Sequence, residues 1–382
     1  MKRRITVTTG SRAEYGILKP ILYAINSNKK LELCLIVTGT HLFKKYGLTI
    51  NEIKYDGFKI ATTVSMNLKA DSSYSISKTL GSSIIKFSKI FRKIKPDINL
   101  VLGDRDEMLA SAMAAYHMNI PNAHIHGGDK SGGIDEYTRH AITKISNIHF
   151  AATKKSMDRI IKMGENPKFV YLTGSPSIDE IVNNKISSRQ ELEKKYKIKI
   201  HGNEILLLQH PVTTQIHKTE EQILAILKAI TKIKKPTIII APNSDAENKK
   251  IFEHITSFSK KYRFIRMYRN VPRNDYLAML KNFGVLVGNS SSGIIEASYF
   301  NIPVVNIGIR QEGREMGKNI INVPTVKMII VKRAIVKALK NKKYRKTSRD
   351  YIYGTGNATK KIVHILEQIK LDKKLIQKQI SY

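Results

Sequence analysis

Short apolar runs and helix-length amphipathic stretches take turns along nearly the whole chain, and that alternation leaves few architectures open. RITVTT, LELCLIVTGTH, the stretch Lys59 to Val64, INLVLGD, NAHIH and FVYLTG fall in the first half, and EILLLQH, TIIIAPN, RFIRMY, GVLVGNSSSG and IPVVNIG in the second. These runs are continuous rather than alternating, the texture of parallel strands covered on both faces. The segments between them carry helical periodicity. They include ILKPILYAIN, a long helix from Ser72 stopped by Pro96, Glu107 to His117, and Asp135 to Ile145 with Asp135 as its cap. Strand–helix repeats of this kind build doubly wound parallel sheets. At 382 residues the chain exceeds one ordinary core. A charged break, NNKISSRQELEKKYKIKIHGN, carries the capping box Ser188 to Glu191. The expectation is an α/β protein of two Rossmann-like domains facing across a cleft, residues 1–177 and 178–357, with a C-terminal helix (358–382) packing back on the first. A membrane-surface role for that basic amphipathic tail is the alternative.

Composition bounds the function. Hydrophobic residues at 42% fit a globular chain, and no apolar run approaches the ~20 residues of a membrane span. The basic start, MKRRITVTTG, leads into a strand and not into the apolar core of a signal peptide. The single cysteine, Cys34, excludes an internal disulfide and a cysteine-cluster metal site. A cytoplasmic enzyme without a membrane partner is the expectation. The net charge of +35 has two readings: a phosphate-rich partner, or lysines dispersed over solvated helix faces. The lysines are spread through most helices, and zinc-finger spacing and tryptophan are absent. The second reading is preferred and nucleic acid is not expected as a partner.

Chemistry concentrates between Val101 and Lys144. INLVLGD ends in Asp104, NAHIH holds His124 and His126, and a glycine-rich loop leads through Asp129 to Asp135, Arg139 and His140. Strand ends followed by Gly-rich turns are where parallel sheets put side chains into a crevice, and carboxylates beside histidines there make a candidate acid–base site. Taken singly, Asp104 and Asp135 also read as ordinary helix caps. In GSRAEYG, Arg12 is placed to reach an anion beside a helix N-terminus, or is an exposed loop arginine. The turn lacks GxGxxG, so a dinucleotide fingerprint is missing. In the second half, GNSSSG lets backbone amides approach phosphate, with Ser290 and Ser291 the best contacts. Glu296 is placed to accept ribose hydroxyls, His210 to offer an imidazole of near-neutral pKa, and Arg310 to complete an anion site.

Together GSRAEYG, LGDRDE, HIHGGDKSGGIDEYTRHAITK, GSPSID, QHPVTT, GNSSSGIIEA and NIGIRQEGRE resemble the hydrolysing UDP-N-acetylglucosamine 2-epimerases, in order, to about residue 365. The resemblance implies a glycosyltransferase-B-like pair of domains and a UDP-sugar substrate. It implies elimination of UDP to a 2-acetamidoglucal and hydration to free N-acetylmannosamine, with neither NAD nor metal as cofactor. It places the elimination carboxylate on Asp104, further acid–base positions on His126 and Asp135, and the basic histidine on His210. Nucleotide contacts fall on Arg12, Ser290, Ser291, Glu296 and Arg310, and Arg105, Asp129 and Arg139 join the substrate-binding set. A homo-oligomer, dimer or tetramer, is implied. Departures at Asp129, Glu247 and Asn248 bear on the sugar. UDP-N,N′-diacetylbacillosamine and the non-hydrolysing reaction are the alternatives; a glycosyltransferase of the same architecture would need an acceptor.

Overall fold

The computed structural model describes residues 2–66, 73–131, 135–183, 186–211, 218–241, 249–341 and 351–381. Ser72, Gly132, Gly133, the VTT of QHPVTT, Glu247 and Asn248 lie outside the described residues. The chain forms two compact units: Met1–Asp129 with Asp135–Glu180 and Tyr353–Tyr382, and Lys130–Ile134 with Ile181–Ile352.

The first unit alternates β1 (Arg3–Thr9), α1 (Arg12–Ser27), β2 (Leu31–Thr38), α2 (Ile50–Tyr55), β3 (Ile60–Val64), α3 (Ser73–Ile94), β4 (Ile98–Leu102), α4 (Asp106–His117), β5 (Asn122–Ile125), α5 (Asp135–Lys144), β6 (Ile148–Ala151), α6 (Lys154–Lys162) and β7 (Val170–Leu172), and leads into α7 (Pro176–Asn183). Its seven strands are parallel in the order β3-β2-β1-β4-β5-β6-β7. Every residue of β4, β5 and β6 is buried, as expected for strands with helices on both faces.

The second unit holds α8 (Arg189–Tyr196), β8 (Ile205–Leu208), α9 (Thr219–Ile233), β9 (Thr237–Ile240), α10 (Lys249–Lys261), β10 (Ile265–Tyr268), α11 (Arg273–Asn282), β11 (Val285–Gly288), α12 (Glu296–Phe300), β12 (Val304–Ile307), β13 (Ile320–Val323) and α13 (Met328–Lys340). Its parallel sheet runs β10-β9-β8-β11-β12-β13. The Ser188–Glu191 capping box starts α8. The edge strand β13 and α13 were not anticipated from sequence. β13 buries only Val323, so it lacks the continuous apolar run that marks the inner strands. α13 buries Val331, Ala334, Ile335 and Ala338, one stripe at helical spacing.

The chain then returns to the first unit as α14 (Ala358–Gln368) and α15 (Lys373–Ile376). Ile362, Leu366 and Leu375 are fully buried in the core that holds Ile5, Leu18 and Leu100, and α14 lies against α1. The expected return of the C-terminal helix is therefore met, and burial of its apolar face explains it. Among the described residues no helix is long and apolar enough to cross a membrane.

What the topology does for function is to create two reversals of strand order. In the first sheet the chain turns from β1 outward to β3, then crosses to β4. In the second it runs from β8 to β10, then crosses to β11. Loops at the carboxyl ends of the two strands flanking such a reversal splay to opposite faces and leave a crevice, where ligands of open α/β sheets bind.

Candidate active site

At the first reversal β1 runs into Gly10 and the GSRAEYG turn, and β4 into Gly103, Asp104 and Arg105. Gly39, just past β2, adopts φ +57°, and a Cβ there would collide with the Gly10 carbonyl and the Glu107 carboxylate, so only glycine fits. Arg105 forms a two-pronged ion pair with Glu107, at 3.1 and 3.0 Å. The Gly10 amide donates to Glu14 Oε1 at 3.1 Å. Burial raises the Glu14 carboxyl to about 8, against the pull of Arg105 and with the push of Glu107. His41 is fully buried between Thr9 and Thr49 hydroxyls, and burial holds its pKa down to about 4. Arg12 pairs with Glu52 at 3.1 Å, with both side chains partly exposed.

Asp104, the residue after the β4 turn, forms an ion pair with Arg139 of α5. Arg139 is buried and also donates to the Asp129 carbonyl at 2.9 Å. It therefore ties the β4 turn to the loop after β5. Asp135, exposed at the start of α5, lies one helical turn before Arg139. Its charge, after burial and Glu107, raises the pKa of Asp106. His126 and Asp129 are buried, with His126 Nδ1 3.2 Å from Asp129 Oδ2 and His126 Nε2 3.0 Å from Ser175 Oγ. Asp104, His126, Asp129 and Arg139 thus form one connected cluster within the first unit. His124 stands apart from it in role. It is fully buried, its Nε2 bonds the Gly103 carbonyl at 2.7 Å, and burial lowers its pKa to about 3. It is a neutral brace for the β4 turn and does not titrate near neutrality. His140 faces Glu136 at 3.6 Å on its own helix.

At the second reversal β8 ends at Gln209 and His210, and β11 at Gly288 and Asn289. Gly288 has φ +133°, and a Cβ there would strike the Leu208 carbonyl, so glycine is required where the two strands meet. Asn289 bridges the strand ends: its Oδ1 accepts from the His210 amide at 2.7 Å and its Nδ2 donates to the His210 carbonyl at 2.8 Å. The Asn289 carbonyl accepts from Arg310 Nη1 at 3.1 Å and Gln311 Nε2 at 2.9 Å. Burial and the neighbouring Arg310 push His210 down to about 3, below the near-neutral value expected from sequence. Ser290 caps a single 3₁₀ turn, Ser291–Gly293. The helix that follows, α12, is only five residues long, so its dipole adds little attraction for an anion. Ser290, Ser291, His210 and Arg310 meet around Asn289. Glu296 is buried in an ion pair with Arg273 and a hydrogen bond from Ser292, which also contacts the Tyr276 hydroxyl at 2.5 Å.

The family model described as UDP-N-acetylglucosamine 2-epimerase matches residues 23–367, both units included. The chain belongs to the UDP-N-acetylglucosamine 2-epimerase family. Within this family it is 36% identical, over the full length of both chains, to the "UDP-N,N'-diacetylbacillosamine 2-epimerase (hydrolyzing)" of Legionella pneumophila. It is 37% identical to the Escherichia coli "Polysialic acid biosynthesis protein P7", over 86% of this chain and 85% of that one. The crystal structure of UDP-GlcNAc 2-epimerase from Neisseria meningitidis bound to UDP-GlcNAc superposes with a TM-score of 0.82 at 18% identity, over 96% of this chain and 100% of that one. At that identity the likeness speaks to the fold, which is that of glycosyltransferase-B-like epimerases.

Several residues of the candidate site escaped the sequence. Glu14 and Glu107 sit in the first turns of two helices, and only the β1–β4 crossing brings them under one turn. Asn289 lies inside GNSSSG, but its bridging role needs β8 and β11 to be neighbours. Arg273 and Ser175 lie far in sequence from Glu296 and His126, and no local pattern connects them.

Proposed function

We propose that this chain hydrolyses a UDP-linked 2-acetamido sugar with inversion at C2, and that UDP-N,N′-diacetylbacillosamine is the substrate. The observation that carries the reading is the coincidence of motif and topology. Asp104 and Arg12 flank one reversal of strand order, and His210, Ser290, Ser291 and Arg310 flank the other. The choice of sugar rests on the end-to-end likeness to the Legionella enzyme. UDP-N-acetylglucosamine, giving N-acetylmannosamine, is the second reading, favoured by the description of the family model.

The chemistry divides between the two residue sets. Ser290, Ser291 and Arg310 with nearby amides bind the diphosphate and hold its charge as the C1–O bond breaks. Asp104 withdraws the weakly acidic C2 proton, and Arg139 fixes the direction of its carboxylate. A 2-acetamidoglucal results. Hydration puts hydroxide on C1 and a proton on the opposite face of C2, which calls for a second acid drawn from His126 and Asp135. His210, neutral through burial, donates a hydrogen bond to the diphosphate.

Incubating the protein with each UDP-sugar in deuterated water separates the readings by NMR. Free 2-epimerised sugar carrying deuterium at C2, with UDP, is expected, and faster from the diacetylated substrate. An epimerised sugar still linked to UDP would make the enzyme non-hydrolysing. Asp104→Asn is expected to lower kcat by about 10²–10⁴-fold while UDP affinity, measured by calorimetry, holds within a fewfold. Near wild-type turnover in that variant would remove Asp104 from the mechanism.

A further inference from the structure

His126 is enclosed by a run of buried polar side chains that the reaction outlined above does not use. The loops after β5, β6 and β7 lie side by side because those strands are neighbours. Thr153 donates to Ser156 Oγ at 2.9 Å, and Ser156 donates to Asp129 Oδ1 at 2.6 Å. Asp129 Oδ2 faces His126 Nδ1, His126 Nε2 faces Ser175 Oγ, and Ser175 Oγ lies 2.8 Å from Ser177 Oγ. Thr153, Ser156, Asp129, His126, Ser175 and Ser177 are all buried.

The chemistry of the groups settles the direction of each hydrogen. An ionised carboxylate only accepts, so Nδ1 of His126 carries its hydrogen toward Asp129. Nε2 is left with its lone pair and accepts from the Ser175 hydroxyl, whose oxygen accepts from Ser177. This is the tautomer logic of a carboxylate–histidine–hydroxyl triad. The backbone supports a demanding placement: His126 adopts φ +63°, a left-handed conformation that side-chain-bearing residues avoid. Ser175 is held in turn, its amide donating to the Tyr353 carbonyl at 2.8 Å while Gly174 packs on Gly354.

We propose that Ser175 is a positioning residue for His126, and that the proton His126 exchanges during epimerisation passes along the Nε2–Ser175 hydrogen bond. This rests on the functional reading above. With both ring nitrogens taken, and Asp129 also bound by Ser156, the hydroxyl is the route by which the ring can pass a proton on. When the ring takes up a proton, Nε2 gains the Ser175 hydroxyl hydrogen while the Ser175 oxygen accepts one from Ser177, which solvent water reprotonates; the same transfers in reverse release it, so no alkoxide forms. The charge gained by the ring is balanced by the Asp129 carboxylate. Asp129 then serves to set the tautomer and does not contact the sugar.

The full-length protein, labelled with ¹⁵N-histidine, tests the arrangement directly. Wild type is expected to show His126 as the Nδ1–H tautomer. Asp129→Asn is expected to reverse it, because Ser156 keeps Oδ1 as acceptor and turns the new amide NH₂ toward the ring. Ser175→Ala is expected to lower kcat about 10- to 100-fold with KM within twofold, and Ser175→Cys to recover part of the loss. In a His126→Gln background Ser175→Ala should cost less than twofold more. An equal cost in both backgrounds, or an Nε2–H tautomer in the wild type, overturns the proposal. If the wild type converts neither UDP-sugar, the functional reading falls, while the tautomer still decides how His126 is held.

Discussion

Glu14, on the first turn of α1, accepts from the Gly10 amide in a buried setting shared with Glu107. Its carboxyl rises from 4.5 to about 8 mainly because burial disfavours the charge. The folded state therefore binds this proton more tightly than the unfolded chain. The stability it contributes is whole below about pH 4.5 and drains away as pH rises through about 8. Glu14→Gln keeps an oxygen for Gly10 and has no proton to lose. The variant should match wild type near pH 5 and melt several degrees higher at pH 8.5, since about 1 kcal/mol moves Tm by 2–4 °C in a unit of roughly 150–250 residues. Thermal unfolding at the two pH values checks this; an equal offset at both would show that the carboxyl does not titrate as described. Its neighbour Arg105 is named through the family resemblance that LGDRDE helps to carry, whereas Glu14 is not, because an acid in a helix's first turn is ordinary until the strand order buries it.

At the scale of elements, the GSPSID motif does structural work at its end. Asp179 Oδ1 accepts from the Ala358 amide at 3.0 Å, and the Thr359 amide bonds the other oxygen. A carboxylate on α7 thereby caps the N-terminus of α14, a helix that begins 179 residues later. The cap brings negative charge to the positive end of a helix and satisfies two orphan amides. Asp179→Ala should cost about 1 kcal/mol, up to about 2, read as a shift of the urea midpoint with unchanged slope. Asp179→Asn should cost less, because the amide oxygen still accepts. The strands and most helices were legible as local pattern, since a doubly covered strand must be apolar throughout. β13 and α13 were not. An edge strand with one buried residue has no such signature, and the helix beyond it follows no strand that the pattern reveals.

Over the whole molecule the net charge of +35 works against compaction. Lys and Arg number 66 against 31 Asp and Glu, so basic side chains outnumber acidic ones about two to one. Like charges at the surface repel, and salt screens them over ~8–10 Å at physiological strength. Raising sodium chloride from about 20 to 300 mM, a change of Debye length from roughly 20 to 6 Å, should raise Tm without altering the far-UV spectrum. A falling Tm would mean that ion pairs such as Lys378–Glu165 and Lys19–Asp56 outweigh the repulsion.

Local sequence determined that this chain makes parallel strands alternating with helices, because the apolar pattern of each segment reports which of its faces meet water. It also named Asp104, His126, Ser290 and Arg310 as candidates, because strand-end motifs carry their chemistry in consecutive residues. Only the tertiary structure decided which strands are neighbours. That order makes Ser175 the partner of His126, Arg139 that of Asp104, Arg273 that of Glu296 and Asn289 the link to His210. Burial, a property of the assembled layers rather than of any segment, then set the protonation of Glu14, His124 and His210.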